Sequence, residues 1–298
     1  MRLVNDKVFK AVFGTESSKE ILAFLLNAIL DYPEERKITE LILLNPSSET
    51  NFAEEKTAIM DLKAKDKQGR SYNIEVQIIP PNDYVNRVVF YLSKLLSGQL
   101  KAGEKYTQLT KTISISIVGD KELFAGLDDF HNIFRYKHIE KDYELGDVTE
   151  LHFIELTKFI KTRPEEWHTK LDKWVNLLKY GDMYQESGQY PEELLKEKEI
   201  AMAIEQFGKI SADESLRYRL MDLERAERDR ISDIQNALDE AMLKGMMEGK
   251  LEGKLEGKLE GIFEAKLGIA AQMMANHLPA SLIMQVTGLT QDEINKIN

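Results

Sequence analysis

The spacing of apolar residues predicts an order of helices and strands. Apolar side chains recur every three or four residues where a helix buries one face, and every second residue where a strand does. On this basis the chain begins with a helix, three strands, a second helix and a fourth strand. A turn containing Gly69 joins the second and third strands, which predicts a β-hairpin. The six segments are 17–30, 38–44, 57–65, 71–79, 84–102 and 111–118.

The remainder of the chain is predicted to be mostly helical. Two further strand-like pieces occur near 131–140 and 150–156, and helical spacing then continues from about 164 to 243. A low-complexity tract at 248–261 precedes a tail in which two short helices are expected. These features divide the chain into four parts. They are a core at 1–162, a helical region packing on it at 163–243, a linker or helix at 244–264 and a short helical tail at 265–298.

The low-complexity tract repeats glycine and leucine at every fourth residue. Each glycine costs a helix about 1 kcal/mol relative to alanine, and glutamates four residues apart repel one another. A helix here is therefore marginal, and a flexible connector is the safer interpretation. The alternative is a self-association helix whose glycines permit close backbone approach, which leaves a homodimer or homo-oligomer open. The repeated residues are Gly245, Gly249, Gly253, Gly257 and Gly261 with Leu251, Leu255 and Leu259.

Composition favours a soluble cytoplasmic protein that does not enter a membrane. Apolar residues make up 43% of the chain, and no run of them approaches the roughly 20 residues that cross a bilayer. Charged residues stand where the apolar centre of a signal peptide would lie. The chain has no cysteine, which excludes disulfides, zinc–thiolate sites and cysteine nucleophiles. Any metal site must therefore use oxygen atoms or the 5 histidines.

The predicted hairpin brings two carboxylates to one face. Side chains alternate between the faces of a strand, so Asp61 and Lys63 share a face of the first hairpin strand. Glu75 and Gln77 share the corresponding face of the second. A turn centred on Gln68 pairs Asp61 with Glu75, with Cβ atoms about 4.5–5.5 Å apart. Two acids this close repel unless a cation lies between them, although for an arbitrary hairpin an ordinary solvated face is the commoner explanation.

The order of these elements resembles the core of the PD-(D/E)XK nuclease superfamily. It is more closely similar to the bacterial recombination-promoting nuclease and transposase (Rpn) family, over nearly the whole chain. The resemblance implies an α/β fold with a restriction-endonuclease-like αβββαβ core, a central mixed sheet flanked by helices, and a helical C-terminal extension. The matching segments are 5–14, 61–63, 73–77, Arg87 with Tyr91, Gly103 with Tyr106, 154–159 and the Glu-Gly-Lys tract.

The resemblance assigns roles to the hairpin residues. It implies that Asp61 and Glu75 bind Mg²⁺, or Mn²⁺ in its place, and that the Val76 carbonyl completes the ligand set. The lysine position of the superfamily holds Gln77, whose amide can orient a water but cannot act as a base. Activation of the water then falls to the metal, and Lys63 is the candidate for the missing positive charge.

The activity implied is that of a Mg²⁺-dependent DNA endonuclease connected with recombination or mobile elements. The alternative is a DNA-binding and assembly module derived from the nuclease fold, with little or no turnover. Charge distribution bears on both, because the net charge is -11. Residues 1–110 hold 15 basic and 15 acidic residues, and 111–298 hold the remaining 25 and 36. DNA contact is therefore expected through a restricted basic surface and with marked salt dependence.

Two further sets of residues are candidates for roles beside the hairpin. Arg87, Tyr91 and Lys94 lie off the apolar face of the second helix and are expected to contact DNA, although a solvated helix face has the same spacing. Asp6 and Lys10 lie one helical turn apart. Asp6 is a candidate for supporting the site, but an acid at a helix N-terminus is the simpler explanation.

Histidine and glycine motifs argue against other functions. No histidine pair has the spacing of metal ligands, and no glycine-rich fingerprint supports a nucleotide cofactor. In the tail, Gly288 is predicted to end one helix, and Thr290 with Glu293 to form the capping box of the next. A helix-turn-helix is conceivable there. Because the tail has few basic residues, small structural or protein-binding helices are preferred.

Overall fold

The computed structural model describes residues 1–44 and 62–297. Within it the chain forms two units, Met1–Glu224 and Arg225–Asn298. Asp61 and the first part of the predicted hairpin lie outside the described residues. The four-part division made from the sequence remains a prediction.

A six-stranded mixed sheet lies at the centre of the first unit, as the resemblance implies. The strand order is β1-β2-β3-β4-β6-β5. The β3–β4 and β4–β6 pairs are parallel and the other neighbours are antiparallel. Parallel neighbours need a crossover connection, and a helix between β3 and β4 provides it. The strands are β1 (Leu41–Leu43), β2 (Leu62–Asp66), β3 (Ser71–Gln77), β4 (Thr112–Val118), β5 (His131–Phe134) and β6 (Thr149–Glu155).

Helices cover both faces of this sheet. One face carries Ile74, Val76 and their neighbours into the main apolar core, which also contains side chains of α1, α2, α4 and α6. The crossover helix α3 covers the other face, where Tyr84 and Val88 pack with Phe153. The α-helices that lie wholly within the described part of this unit are α1 (Asp6–Phe13), α2 (Lys19–Leu30), α3 (Tyr84–Ser97), α4 (Lys170–Ser187), α5 (Glu192–Leu195) and α6 (Lys198–Ala212).

Several predicted elements are shorter in the structure than the apolar pattern suggested. The strand expected at 38–44 is limited to β1, and the helix expected at 84–102 ends at Ser97. Gly98 caps that helix, because its backbone N–H donates to the carbonyls of Lys94 and Leu96. One helix, α1, was not predicted from periodicity. Its N-terminus is held by Asn5, whose side chain accepts hydrogen bonds from the next backbone amides, those of residues 7 and 8.

The low-complexity tract is helical, so the preference for a flexible connector is wrong. A single helix, α7 (Glu214–Ala275), runs through it. Leucine, lysine and glutamate fill three of every four positions, and these residues are strong helix formers that offset the glycines. None of the helices in the described part of the chain has the length and apolar content to span a membrane.

The end of the second unit folds as the sequence predicted. After α7 come α8 (Ala280–Thr287) and α9 (Gln291–Ile294). Gly288 ends α8 with a φ of 69°, a left-handed conformation that favours glycine. Thr290 and Glu293 form the expected capping box on α9. A small apolar core joins these helices to the end of α7 through Ala270, Ile283, Leu289 and Ile294.

Candidate active site

The β2–β3 hairpin has the register that the sequence predicted. Leu62 pairs with Ile74 and Lys63 with Asn73, which corresponds to a turn centred on Gln68. Gly69 adopts a φ of 84° in this turn. The predicted pairing of Asp61 with Glu75 would continue this register, but Asp61 lies outside the described residues.

The turn is fixed by the buried carboxylate of Asp66. It accepts hydrogen bonds of 2.9 Å from the backbone amides of Gln68 and Arg70. It also accepts 2.5 Å and 2.8 Å bonds from Arg70 Nε and the Tyr72 hydroxyl. Because the turn length sets the register of a hairpin, this network fixes the pairing of β2 with β3.

Glu75 lies buried beneath α3, with only 2% of its side chain exposed. Its Oε1 atom forms an ion pair with a terminal guanidinium nitrogen of Arg87, on the first turn of α3. The Arg87 side chain is 27% exposed, and its guanidinium lies 5.2 Å from the ring centre of Tyr84. A buried carboxylate requires a compensating cation, and Arg87 supplies one. The face of the hairpin that carries Glu75 is therefore enclosed, not the solvated face that an arbitrary hairpin would present.

The other predicted residues of β2 and β3 surround this carboxylate. Gln77 is half-buried, and its Nε2 atom lies 3.5 Å from Glu75 Oε1, a weak hydrogen bond. Half-buried Lys63 lies on the same face, opposite Asn73. The Val76 side chain packs into the main core on the other face, so only its backbone can serve the site.

The three residues of α3 that were expected to contact DNA lie in different environments. Arg87 turns toward the sheet and pairs with Glu75, so it is not simply a residue of a solvated helix face. Tyr91 is half-buried beside Phe90, with ring centres 5.6 Å apart, and Lys94 is exposed. Asp6 is the first residue of α1, which suits the helix-terminus interpretation, while Lys10 is buried in the same helix. Their role beside the site stays a prediction.

Three buried polar residues next to Glu75 were missed in the sequence interpretation. Asn73 lies on β3, and Ser114 and Ser116 lie on β4, all on the face that α3 covers. We call these three residues the polar floor. The alternation of serine and isoleucine in β4 signalled a strand with one polar face. It did not signal that this face is buried.

Comparison with models of known protein families shows the family to which the chain belongs. The model of the PD-(D/E)XK nuclease family transposase matches residues 3–237, more than three quarters of the chain. The chain belongs to this nuclease family. A second model, the C-terminal HTH domain of the Rpn/YhgA-like nuclease family, matches residues 263–298. No curated protein and no solved structure matches the chain.

The second match changes the interpretation of the helical tail at 265–298. From the sequence, small structural or protein-binding helices are preferred over a helix-turn-helix here, and the match does not support that preference. The end of α7 with α8 and α9 supplies the helices of this domain. A small number of basic residues weakens the affinity of a domain for DNA but does not determine its fold.

The predicted metal ligands in the hairpin are oxygen atoms. Hard cations such as Mg²⁺ prefer carboxylate and carbonyl oxygens, and Glu75 and Val76, the ligands predicted from the sequence, carry such oxygens. The described residues contain no group of three or more histidine, cysteine, aspartate or glutamate residues able to hold a metal ion. The expected site has two carboxylates, and one of them, Asp61, is not among the described residues.

Buried His152 and half-buried His131 belong to a separate network on the opposite face of the sheet. The two ring nitrogens of His152 lie 2.6 Å from Glu150 Oε1 and 2.9 Å from His131 Nε2. Burial and the neighbouring His152 lower the pKa of His131 to about 4. Burial alone would raise the pKa of Glu150, but hydrogen bonds from His152 and Lys111 bring it below its ordinary value. His131 also lines a cavity of about 1220 Å³, which none of the described predicted site residues borders.

Proposed function

We propose that the chain is a divalent-metal-dependent endonuclease that hydrolyses DNA phosphodiester bonds, with a role in recombination or mobile elements. Asp61, Glu75 and the Val76 carbonyl would bind Mg²⁺, or Mn²⁺ in its place. The observation that carries the proposal is the buried carboxylate of Glu75 on a hairpin with the predicted register, in a chain of the nuclease family. An enclosed acid of this kind is costly for the fold unless a cation compensates it.

The polar residues around Glu75 suit a cleavage that relies on the metal. A divalent ion held at Glu75 would supply the nucleophile, since a bound metal lowers the pKa of its water. Gln77 cannot take a proton from that water, but its amide can orient it. Lys63 supplies positive charge on the same face, where the phosphate would be bound. Arg87, Tyr91 and Lys94 are proposed to contact DNA, and Arg87 would have to leave Glu75 to do so.

A DNA-binding and assembly module without meaningful turnover is the second candidate. Two observations favour it: Gln77 in the lysine position, and the ion pair by which Arg87 already neutralises Glu75. In such a module Arg87 would permanently supply the positive charge that a metal ion would supply in the nuclease. The HTH domain would then carry the DNA contact.

Self-association through α7 is a further part of the proposal. Leu251, Leu255 and Leu259 on this helix are 61%, 54% and 68% exposed. Exposed leucines in a regular row are costly in water and are typical of helices that pair. A homodimer or homo-oligomer would place two or more nuclease domains in one particle.

Incubation of supercoiled plasmid with the full chain separates the two candidates. The nuclease is expected to nick or linearise the plasmid with Mg²⁺ or Mn²⁺, and to stop when EDTA is added. Asp61→Ala should abolish cleavage. A gel shift without cleavage under any metal would favour the binding module, and cleavage undiminished in Asp61→Ala would defeat the proposed ligand set.

A further inference from the structure

The polar floor forms a continuous row with Glu75 beneath α3. In the parallel register of β3 and β4, Glu75 pairs with Ser116 and Asn73 pairs with Ser114. Paired strands lie about 4.8 Å apart, and residues two positions apart on one strand lie about 6.6 Å apart. By these spacings the backbones of Ser116, Asn73 and Ser114 lie about 5, 7 and 8 Å from that of Glu75, and the three side chains lie on its face.

The floor is buried without being satisfied. Among the described residues, neither the amide oxygen and nitrogen of Asn73 nor the hydroxyls of Ser114 and Ser116 have a hydrogen-bond partner. The facing side of α3 presents buried Val88 and Leu92, which offer no hydrogen bonds. Buried polar atoms without partners destabilise a fold, and those that persist in a native protein call for a reason.

The same strand contains a satisfied residue that shows the difference. Thr112 lies on β4 two residues before Ser114, on the same face and equally buried. Its hydroxyl accepts a 2.7 Å hydrogen bond from Gln99 Nε2 at the end of α3. The fold thus provides a partner at the end of the row far from Glu75 and none at the end beside it.

We propose that Ser116, Ser114 and Asn73 bind the water molecules around the divalent cation that Glu75 holds. Mg²⁺ keeps several waters when it binds a protein, and each coordinated water points its hydrogens away from the metal. Such waters need hydrogen-bond acceptors, and serine hydroxyls and the asparagine amide oxygen are acceptors. These residues are positioning residues, because they act on the cation through its waters. The inference rests on the proposed function.

The test measures metal binding and metal-free stability in the full chain carrying Ser116→Ala. Removing a hydroxyl that has no partner in the metal-free protein leaves the melting temperature in EDTA unchanged or raises it. Mn²⁺ affinity, measured by calorimetry without DNA, should fall at least threefold. Thr112→Val is the matched control on the same strand and face. It breaks the bond to Gln99, so it should lower the melting temperature and leave Mn²⁺ affinity unchanged.

The other outcomes are equally decisive. Mn²⁺ affinity of Ser116→Ala equal to that of the unmodified protein overturns the inference and leaves the proposed function standing. A lower melting temperature of Ser116→Ala in EDTA, with or without a loss of affinity, assigns the hydroxyl a structural role and also overturns it. If the unmodified protein binds no Mn²⁺, the proposed function fails and the inference fails with it.

Discussion

The ion pair between Arg87 and Glu75 makes a prediction about the metal-free protein. Arg87→Met removes the cation and keeps an apolar side chain of similar length, so Glu75 stays buried and loses its guanidinium partner. Breaking a fully buried pair costs about 3–5 kcal/mol, because the remaining buried charge loses the ion that compensates it. Arg87 is 27% exposed, so water screens part of the interaction. The expected loss is therefore lower, about 2–3 kcal/mol.

Thermal unfolding in EDTA measures this loss. In a unit of about two hundred residues, each kcal/mol shifts the melting temperature by about 2–4 °C, so Arg87→Met should melt about 4–12 °C below the unmodified protein. Lys94→Met is the control, since Lys94 is an exposed residue seven positions further along α3. Its effect should stay within about 0.5 kcal/mol.

A double-mutant cycle with Glu75→Gln shows whether the loss comes from the pair. The neutral amide that this substitution introduces does not need the arginine, so Arg87→Met should cost much less in that background. Coupled neighbours show interaction energies of about 0.5–3 kcal/mol in such cycles. Additive effects of the two substitutions, or an unchanged melting temperature of Arg87→Met, would refute the reasoning.

Three further predictions concern other parts of the chain. His131 has a pKa of about 4, below its ordinary value, so the unfolded chain binds more protons between pH 6.5 and 4 and stability falls as the pH drops through that window. The free energy of unfolding, measured with urea, should depend less steeply on pH in His131→Asn than in the unmodified protein, by at most about 1.4 kcal/mol per pH unit. Parallel plots of this free energy against pH would contradict the lowered pKa of His131. Asp66→Ala removes a buried acceptor of four hydrogen bonds and should lower the free energy of unfolding by about 3 kcal/mol. A loss under about 0.5 kcal/mol would show that the turn does not depend on Asp66. A peptide of residues 240–298 should be helical by circular dichroism and associate in sedimentation, and a disordered monomer would restore the connector interpretation of the tract.

The register of the hairpin was predictable because it depends on local chemistry. Side-chain alternation and a glycine turn specify which residues oppose each other, and the structure adds Asp66 as the residue that holds the turn. The caps of the tail were predictable for the same reason: Gly288 and the Thr290–Glu293 box act within a few residues of themselves. Local signals of this kind need no knowledge of tertiary packing.

The burial of the site was not predictable from the same signals. Alternation shows that Asn73, Ser114 and Ser116 share a face with Glu75, but not that α3 packs across it. Arg87 was placed off the apolar face of its helix and was not expected to reach the sheet. The spacing of residues along a helix does not show which of its sides faces the sheet. The helical state of the repeat tract was underestimated, since the glycine penalties were weighed without the strong helix formers between them.

Cleavage by Glu75→Gln tests the central claim most directly. Single-turnover cleavage of supercoiled plasmid is measured in Mg²⁺ for the unmodified protein and the variant, with EDTA as the metal-free reference. Gln keeps the size of the side chain and removes the anionic oxygen that would bind the cation. Since each 1.4 kcal/mol is worth a factor of ten and a metal supplies several kcal/mol, the rate should fall about a hundredfold or more. A variant that cleaves at the unmodified rate, or cleavage that persists in EDTA, would contradict a metal-dependent site at Glu75.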